Sequence, residues 1–513
     1  MFGSRKRNQR AVDEVLNDRL FHWPGHPAYE FYVRDACEGI QIFGATGSGK
    51  SSGSGRHIAE AYLDYGYGGL VLCAKPDEKN AWQAYAKATG RLDDLVIFEM
   101  DGDFEFNPLA YEMIRDGEGA GQTINMVNMV MAMHQIGKNF MAGGDGSAND
   151  ERFWDDSVRR LLSRTIDLLK FAEKEITIPN MRRVVAEALT EGQVTQYRDR
   201  IRVINDSESS KDEVSQAVAQ INRWRADNYC LDCLSLAFER MDEYDALELD
   251  VYRMVEGYFF REFARLSERT KSIIQESFLG LVEPFGTGLL QKHFTQGVSE
   301  EIYPEMTYQE GKIIILNFPT KQHLLSGILA QAIFKYVWQQ AMERRTFEDK
   351  NFRPTFLWID ESQFFVLPEY DTLFATTARS SLVSTVYLTQ NINNYYFSMG
   401  TNAQARTKSL MGNMSTKIFH ANTDIDTNEF AAKTIAEDLI QMQALQINPG
   451  NVGAGASFSE QFMYQVKPKD FTTLATGGKS KYGFKPEAYI VQTGETFEEG
   501  LNYLKVGFPQ KRG

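Results

Sequence analysis

Residues 44–51, GATGSGKS, fill every fixed position of the P-loop pattern G-x-x-x-x-G-K-[S/T]. No other stretch constrains the fold so strongly, because the ligand dictates the spacing. A triphosphate needs a ring of backbone N–H donors, and only glycines let a chain curl closely enough to supply them. Gly44, Thr46, Gly47, Ser48 and Gly49 are expected to form that cradle. Lys50 then reaches the β- and γ-phosphates, and the Ser51 hydroxyl ligates Mg²⁺. The apolar run Ile40–Phe43 enters the loop as a strand. The residues after Ser51 can continue as a helix with its N-terminus facing the phosphates. A glycine-rich surface turn could imitate the motif, but the strand before and the helix after argue against it. The chain is expected to bind a nucleoside triphosphate.

Short apolar runs bounded by glycine and charge continue the theme at 69–74 and Leu95–Glu99, as strands buried on both faces do. From residue 111 to 299 the texture changes to helical periods. Trp154, Val158, Leu161, Leu162, Ile166 and Leu169 lie on one helix face, and Ile274, Phe278, Leu281, Val282 and Phe285 repeat the pattern. Within that stretch 143–150 and 205–211 read as loops. Strand signals resume at 312–318, 356–359 and 383–388, with an amphipathic helix over 328–343. Residues 448–459 read as a flexible glycine-rich connection, and 488–492 as one last strand.

These signals predict an α/β protein with a central, mostly parallel sheet and an all-α insert. The expected units are an entry segment (1–40, with an irregular turn over 23–27), a discontinuous P-loop domain (41–110 and 300–513, including a C-terminal tail over 441–513) and the insert (111–299).

Residues 356–361, FLWIDE, form a Walker B pattern: a strand delivers Asp360 to the Mg²⁺ shell and places Glu361 to polarise the attacking water. Beside the P-loop, the pair favours hydrolysis over binding alone. Gln390 ends another strand and is either a sensor of the γ-phosphate or the cap of a loop. By its spacing, 18 residues after Glu361 and 11 before Gln390, Arg379 falls close to the sheet edge that carries the site, and it is either an arginine finger for a neighbouring site or a surface arginine.

Other features carry less. Cys230 and Cys233 form one CxxC with no second pair, which suits packing better than zinc. Residues 101–112 echo a calcium loop, but Phe106 stands where that loop needs glycine. The histidines have no ligand or triad spacing, and the aromatic residues are more simply core than stacking platforms. A net charge of −14 argues against a broadly basic nucleic-acid-coating surface, though not against a locally basic channel. Four cysteines are too few for a disulfide scaffold and fit a reducing compartment. The basic cluster at residues 5–10 reads as a solvated tail, with no apolar h-region and no membrane-spanning run, so a cytoplasmic protein is expected.

The order of motifs resembles the type IV secretion coupling ATPases of conjugation, the TraG/TraD family within the FtsK/HerA-like hexameric motors. The pieces are GATGSGKS, LVLCAKPD at 70–77, Phe106-Asn107-Pro108-Leu109, Phe153-Trp154, Phe356–Glu361 as Walker B, Ala378-Arg379-Ser380 with Thr389-Gln390, and the surroundings of Asn413 and Thr427. The resemblance implies a RecA/FtsK-like fold, ATP at Lys50 and Ser51, Mg²⁺ with Asp360, hydrolysis through Glu361, sensing at Gln390 and a finger at Arg379. It further implies a homo-hexameric ring and an insert that recognises substrate. The partner would be DNA or a DNA–protein complex. An ATPase that energises protein secretion, or an ATP-gated defence or regulatory assembly, are the alternatives. Cys73 stands where the family has an aspartate, and the family's N-terminal membrane anchor is not seen. Docking at an inner membrane would therefore need a separate membrane or channel subunit.

Overall fold

The structure, a computed structural model, describes residues 11–141, 148–347, 351–447 and 454–510, with the backbone alone for 136–141, 148–154, 439–447 and 454–459. The basic cluster at 5–10, most of the loop expected at 143–150, the Phe153 and Trp154 side chains, and residues 448–453 lie outside what is described. Two compact units emerge: residues 1–99 with 304–513, and residues 100–303. The expected boundary at residue 110 falls inside the helix Pro108–Ile114.

Among its described residues the first unit has thirteen strands: β1 (Arg19–Trp23), β2 (His26–Tyr32), β3 (Ile40–Phe43), β4 (Gly68–Leu72), β5 (Leu95–Glu99), β6 (Ile313–Asn317), β7 (Thr355–Ile359), β8 (Val383–Thr389), β9 (Thr416–His420), β10 (Glu437–Ile447), β11 (Ala454–Tyr464), β12 (Glu487–Gln492) and β13 (Tyr503–Gly507). Nine of them form one sheet in the order β13-β12-β9-β3-β8-β7-β4-β6-β5. From β9 to β5 every pairing is parallel, whereas β12 runs antiparallel to both β9 and β13. Strands β3, β4, β7 and β8 are buried at every residue; β4 and β7 accordingly read as nearly continuous apolar runs, while β3 and β8 also bury Gln41, Ser384, Thr385 and Thr389. The helix Thr320–Arg344 is buried on most of its circumference. Its Lys335 ammonium meets Asp371 at 2.5 Å with both side chains fully buried.

One expectation is sharpened and two need correction. The irregular turn expected over 23–27 is the tip of a hairpin: β1 and β2 pair across Pro24-Gly25, and the Phe21, Trp23 and Phe31 rings pack on one another. The C-terminal part is not a tail, because β12 and β13 extend the central sheet and bury Ala488, Ile490, Leu504 and Val506. Residues 454–459, read as flexible connection, belong to β11, which pairs along its whole length with β10. Small residues carry little strand propensity of their own, and here the ladder to β10 supplies the order.

The second unit is helical. Val158, Leu161, Leu162, Ile166 and Leu169 are buried on the helix Ala148–Phe171, as are Ile274, Phe278, Leu281, Val282 and Phe285 farther along. The loop expected at 205–211 separates the helices Glu191–Asn205 and Lys211–Asp227, the second opened by a Ser210–Glu213 capping box. Cys230 and Cys233 are buried on the helix Tyr229–Glu239, and burial pushes the Cys233 thiol up to about 12.

The two ends of this unit are tied together. Phe106 bridges Val298 in antiparallel fashion. The Phe106 N–H donates to the His293 carbonyl at 2.7 Å, Asn107 to Gly297 at 2.7 Å and Ser299 to Glu105 at 2.8 Å. The Asn107 side chain accepts from the Leu109 and Ala110 amides, and Pro108 is the first helical residue. That gives the Asn-Pro-Leu sequence a mechanical meaning: an N-cap followed by a proline that needs no amide partner, set at the neck of the insert.

Candidate functional site

The loop after β3 is anchored at both flanks. Gly44 N–H donates to the Thr389 carbonyl at the end of β8, and Ala45 N–H to Ala421 just past β9. Thr46 and Gly47 form the exposed tip, while Ser48, Gly49 and Lys50 are buried. A Cβ on Gly44 would stand 2.4 Å from Ser48 Oγ and 2.8 Å from His420 Cβ, so the curl closes too tightly for any side chain. Gly49 has φ 101°, in the left-handed half of the map that glycine enters without cost. The helix that follows starts with a wide turn over Lys50–Gly55 and continues as Arg56–Tyr65.

Walker B arrives on β7. Ser51 Oγ donates to Asp360 Oδ2 at 2.7 Å, and Lys50 Nζ stands 3.8 Å from both Asp360 Oδ1 and Glu361 Oε1. Glu361 adopts φ 51°, ψ 49°, a strained conformation for a residue with a Cβ and one that costs about 1–3 kcal/mol. Its Oε1 accepts from Lys75 Nζ at 2.6 Å and Gln390 Nε2 at 3.2 Å, and its Oε2 from Gln363 Nε2 at 3.1 Å. Burial alone would raise the Glu361 carboxyl, but the Lys50 and Lys75 ammonium groups outweigh it and hold it at about 2. Burial likewise works against the charged Lys75, and the Asp360 and Glu361 carboxylates raise it nonetheless. Glu78 is pushed well above the usual carboxylate range by burial and then by Asp360.

Lys50, Ser51, Asp360, Glu361 and Gln390 therefore meet at the carboxyl ends of β3, β7 and β8. Arg379 does not join them, against the expectation that it lies near the site-bearing edge. It sits in a 3-10 turn (Ala378–Ser381) that precedes β8, half-exposed, with its guanidinium 3.0 Å from the Glu38 carboxylate. Glu38 likewise precedes β3. Seven β8 residues at roughly 3.3 Å each put Arg379 about 20 Å from the carboxylates of its own chain. Cys73, at the end of β4, is buried with its amide and carbonyl both bonded to Gln331.

Sequence reasoning passed over several contributors. The motifs give no role to Lys75, within LVLCAKPD, or to Gln363. His420 supports the P-loop helix from β9. Its Nδ1 meets the Glu487 carbonyl at 3.1 Å, so Nε2 accepts from the Ser54 hydroxyl at 2.7 Å. Burial keeps this ring neutral, with a pKa of about 3. The chain around 477–510 lies against the loop: Gly477 N–H donates to the Gly47 carbonyl at 3.1 Å, and Gln510 Nε2 to Ser52 Oγ at 2.5 Å. Strand β9 is not among the expected strands, and one histidine among seven has no signal of its own.

Among the described residues no helix is long and apolar enough to cross a membrane. No protein-family model matches the sequence. No curated protein matches it either. Solved structures do resemble it. The bacterial conjugative coupling protein TrwB in its unbound monoclinic form aligns with TM-score 0.58 and 14% identity, over 94% of this chain and 87% of that one. TrwB in complex with the ATP analogue ADPNP aligns with TM-score 0.58 and 14% identity, over 98% and 92%. TrwB with ADP and Mg²⁺ gives 0.56 and 14%, over 94% and 88%. At this identity the likeness is one of fold, and the chain has the RecA/FtsK-like P-loop fold.

Proposed function

We propose that this chain is a Mg²⁺-dependent ATPase that assembles as a homo-hexameric ring and moves DNA or a DNA–protein complex, in the manner of the coupling proteins of type IV transfer. One observation carries the reading: the Ser51 hydroxyl, the Asp360 and Glu361 carboxylates, the Lys50 ammonium and the Gln390 amide converge at the ends of three parallel strands. The fold likeness to a coupling protein with a bound ATP analogue supports it by analogy.

The donor set suits Mg²⁺. A hydroxyl and a carboxylate are hard oxygen donors, the kind that cation takes. Ser51 and Asp360 would hold it, and when bound it would neutralise charge on the phosphate oxygens. The chain's own residues divide the remaining work. The loop amides from Gly44 to Gly49 bind the phosphates, and Lys50 offsets the charge of the terminal one. Glu361 takes the proton of the attacking water. Gln390, already within reach of Glu361, reports whether the γ-phosphate is present. Arg379 acts on the site of the adjacent subunit, since its own is too far away. The helical unit selects substrate. Any attachment to a membrane channel would run through a separate membrane or channel subunit.

The test is ATP turnover with and without single- and double-stranded DNA, read beside particle images. DNA-stimulated turnover in rings is expected, with Glu361→Gln binding ATP but not hydrolysing it. Turnover stimulated only by a protein partner would transfer the reading to protein secretion, and assembly on ATP without turnover to a gated scaffold.

A further inference from the structure

Four donors surround the Glu361 carboxylate: Lys75 Nζ at 2.6 Å, Gln390 Nε2 at 3.2 Å and Lys50 Nζ at 3.8 Å on Oε1, and Gln363 Nε2 at 3.1 Å on Oε2. A carboxylate offers about four lone-pair sites, two per oxygen. With Lys75 and Gln390 both on Oε1, that oxygen has no free lone pair for the proton of a water molecule. To act as a base through Oε1, Glu361 must first lose a donor.

The donors are not equally able to leave. Gln363 is pinned, because its Oε1 accepts from the Thr389 hydroxyl at 2.8 Å. Lys50 and Gln390 have phosphate to turn to. Lys75 has the shortest contact and stands at the water-facing side, with its side chain 37% exposed against 4% for Glu361. Its backbone is held where β4 ends beside β7, since the Ala74 amide donates to Glu78 Oε2 and the Ala74 carbonyl accepts from the Thr320 hydroxyl. A fixed backbone with a long, half-exposed side chain makes a contact that can open without disturbing the strand. The left-handed backbone of Glu361 adds a second sign, because a strained residue persists only when its surroundings hold it.

We propose that Lys75 is a latch on Glu361: a positioning residue whose ammonium keeps the carboxylate engaged in the resting protein and releases it during turnover. The inference rests on the hydrolysis reading above and adds to it a brake on idle consumption of ATP. Basal turnover stays low because the base is occupied, and the transported substrate speeds turnover by favouring the open latch.

The experiment uses the full chain with Lys75→Met, Lys75→Arg, Glu361→Gln and the Lys75→Met/Glu361→Gln double variant. Without nucleotide, the two single changes are expected to lower Tm by more in sum than the double change does, because both break one contact. A fluorescent ATP analogue should bind Lys75→Met as it binds the wild type. DNA-free turnover should rise severalfold in Lys75→Met, with a smaller further gain on adding DNA, while Lys75→Arg keeps turnover low. Additive Tm shifts would refute the latch, and so would turnover that falls in Lys75→Met with analogue binding intact. A wild-type chain without any ATP turnover would sink the hydrolysis reading instead, and the nucleotide-free Tm cycle would still decide whether Lys75 grips Glu361.

Discussion

Alanine at position 49 measures how closely the P-loop is clasped. The substitution adds one Cβ, and two separable effects oppose it. The first is conformational: at φ 101° an L-residue pays about 1–2 kcal/mol that glycine does not. The second is steric. The new Cβ would lie 2.5 Å from Pro486 Cβ and 2.6 Å from Pro486 Cγ, atoms of a ring that has no rotamer to yield with. Overpacking of that kind costs about 1–3 kcal/mol. Together the loss is about 2–5 kcal/mol, a large part of a domain's stability but within what a folded unit can bear. Urea unfolding followed by tryptophan fluorescence reports it, since Trp23, Trp82, Trp338 and Trp358 all lie in the sheet unit. Gly49→Ala should lower the midpoint with an unchanged slope. In a Pro486→Gly background the same change should cost only the conformational part, about 1–2 kcal/mol. An equal cost in both backgrounds would mean that Pro486 does not press on the loop, and the reasoning would fail.

Three further outcomes are expected. Lys335→Met should lose about 3–5 kcal/mol on unfolding, because it leaves Asp371 charged and fully buried, and Asp371→Asn added to it should recover part of that loss. An unchanged midpoint would refute the pairing. His420 is held neutral by burial with a pKa of about 3, whereas the unfolded ring titrates near 6.5, so its contribution is complete above 6.5 and is lost as pH falls toward 3. Moving from about pH 7.5 to about pH 5 should therefore lower the wild-type Tm more than that of His420→Gln, and equal slopes would dismiss the buried ring as the cause. Arg379→Ala should bind ATP yet lose hydrolysis on the order of 10³-fold, with partial recovery when mixed with Lys50→Ala chains. No recovery in rings shown to exchange subunits would leave the finger without a site.

What could be read from the sequence was chemistry confined to one short stretch. The P-loop and the FLWIDE strand are each contiguous, so spacing alone places Lys50, Ser51, Asp360 and Glu361. Lys75, His420 and Pro486 reach the same site from other strands and loops, and only the strand order β12-β9-β3-β8-β7-β4 brings them together. Arg379 shows the opposite hazard. It lies 11 residues before Gln390, which suggested nearness, but the intervening segment is a straight strand that sends the two to opposite ends of the sheet. Strand β13 and the β1–β2 hairpin were missed for a related reason: five to seven residues of alternating pattern say little until a partner strand is known.

The neck formed by Phe106 and Val298 bears on the order in which the chain can fold. Strands β5 and β6 are parallel partners, yet roughly 210 residues separate them, and pairing their ends directly would mean closing a very long loop. The helical unit ties its own ends through the Glu105, Phe106 and Asn107 contacts. Once these form, the span still to be closed shrinks to roughly 20 residues, which removes about 2 kcal/mol of loop-closure entropy from the sheet's assembly. Helices mature from local contacts and do so quickly, whereas a parallel sheet waits on distant ones. The interruption need not slow the sheet, provided that it completes first. During synthesis the ribosome supplies that order, since the residues of the insert emerge before β6 does.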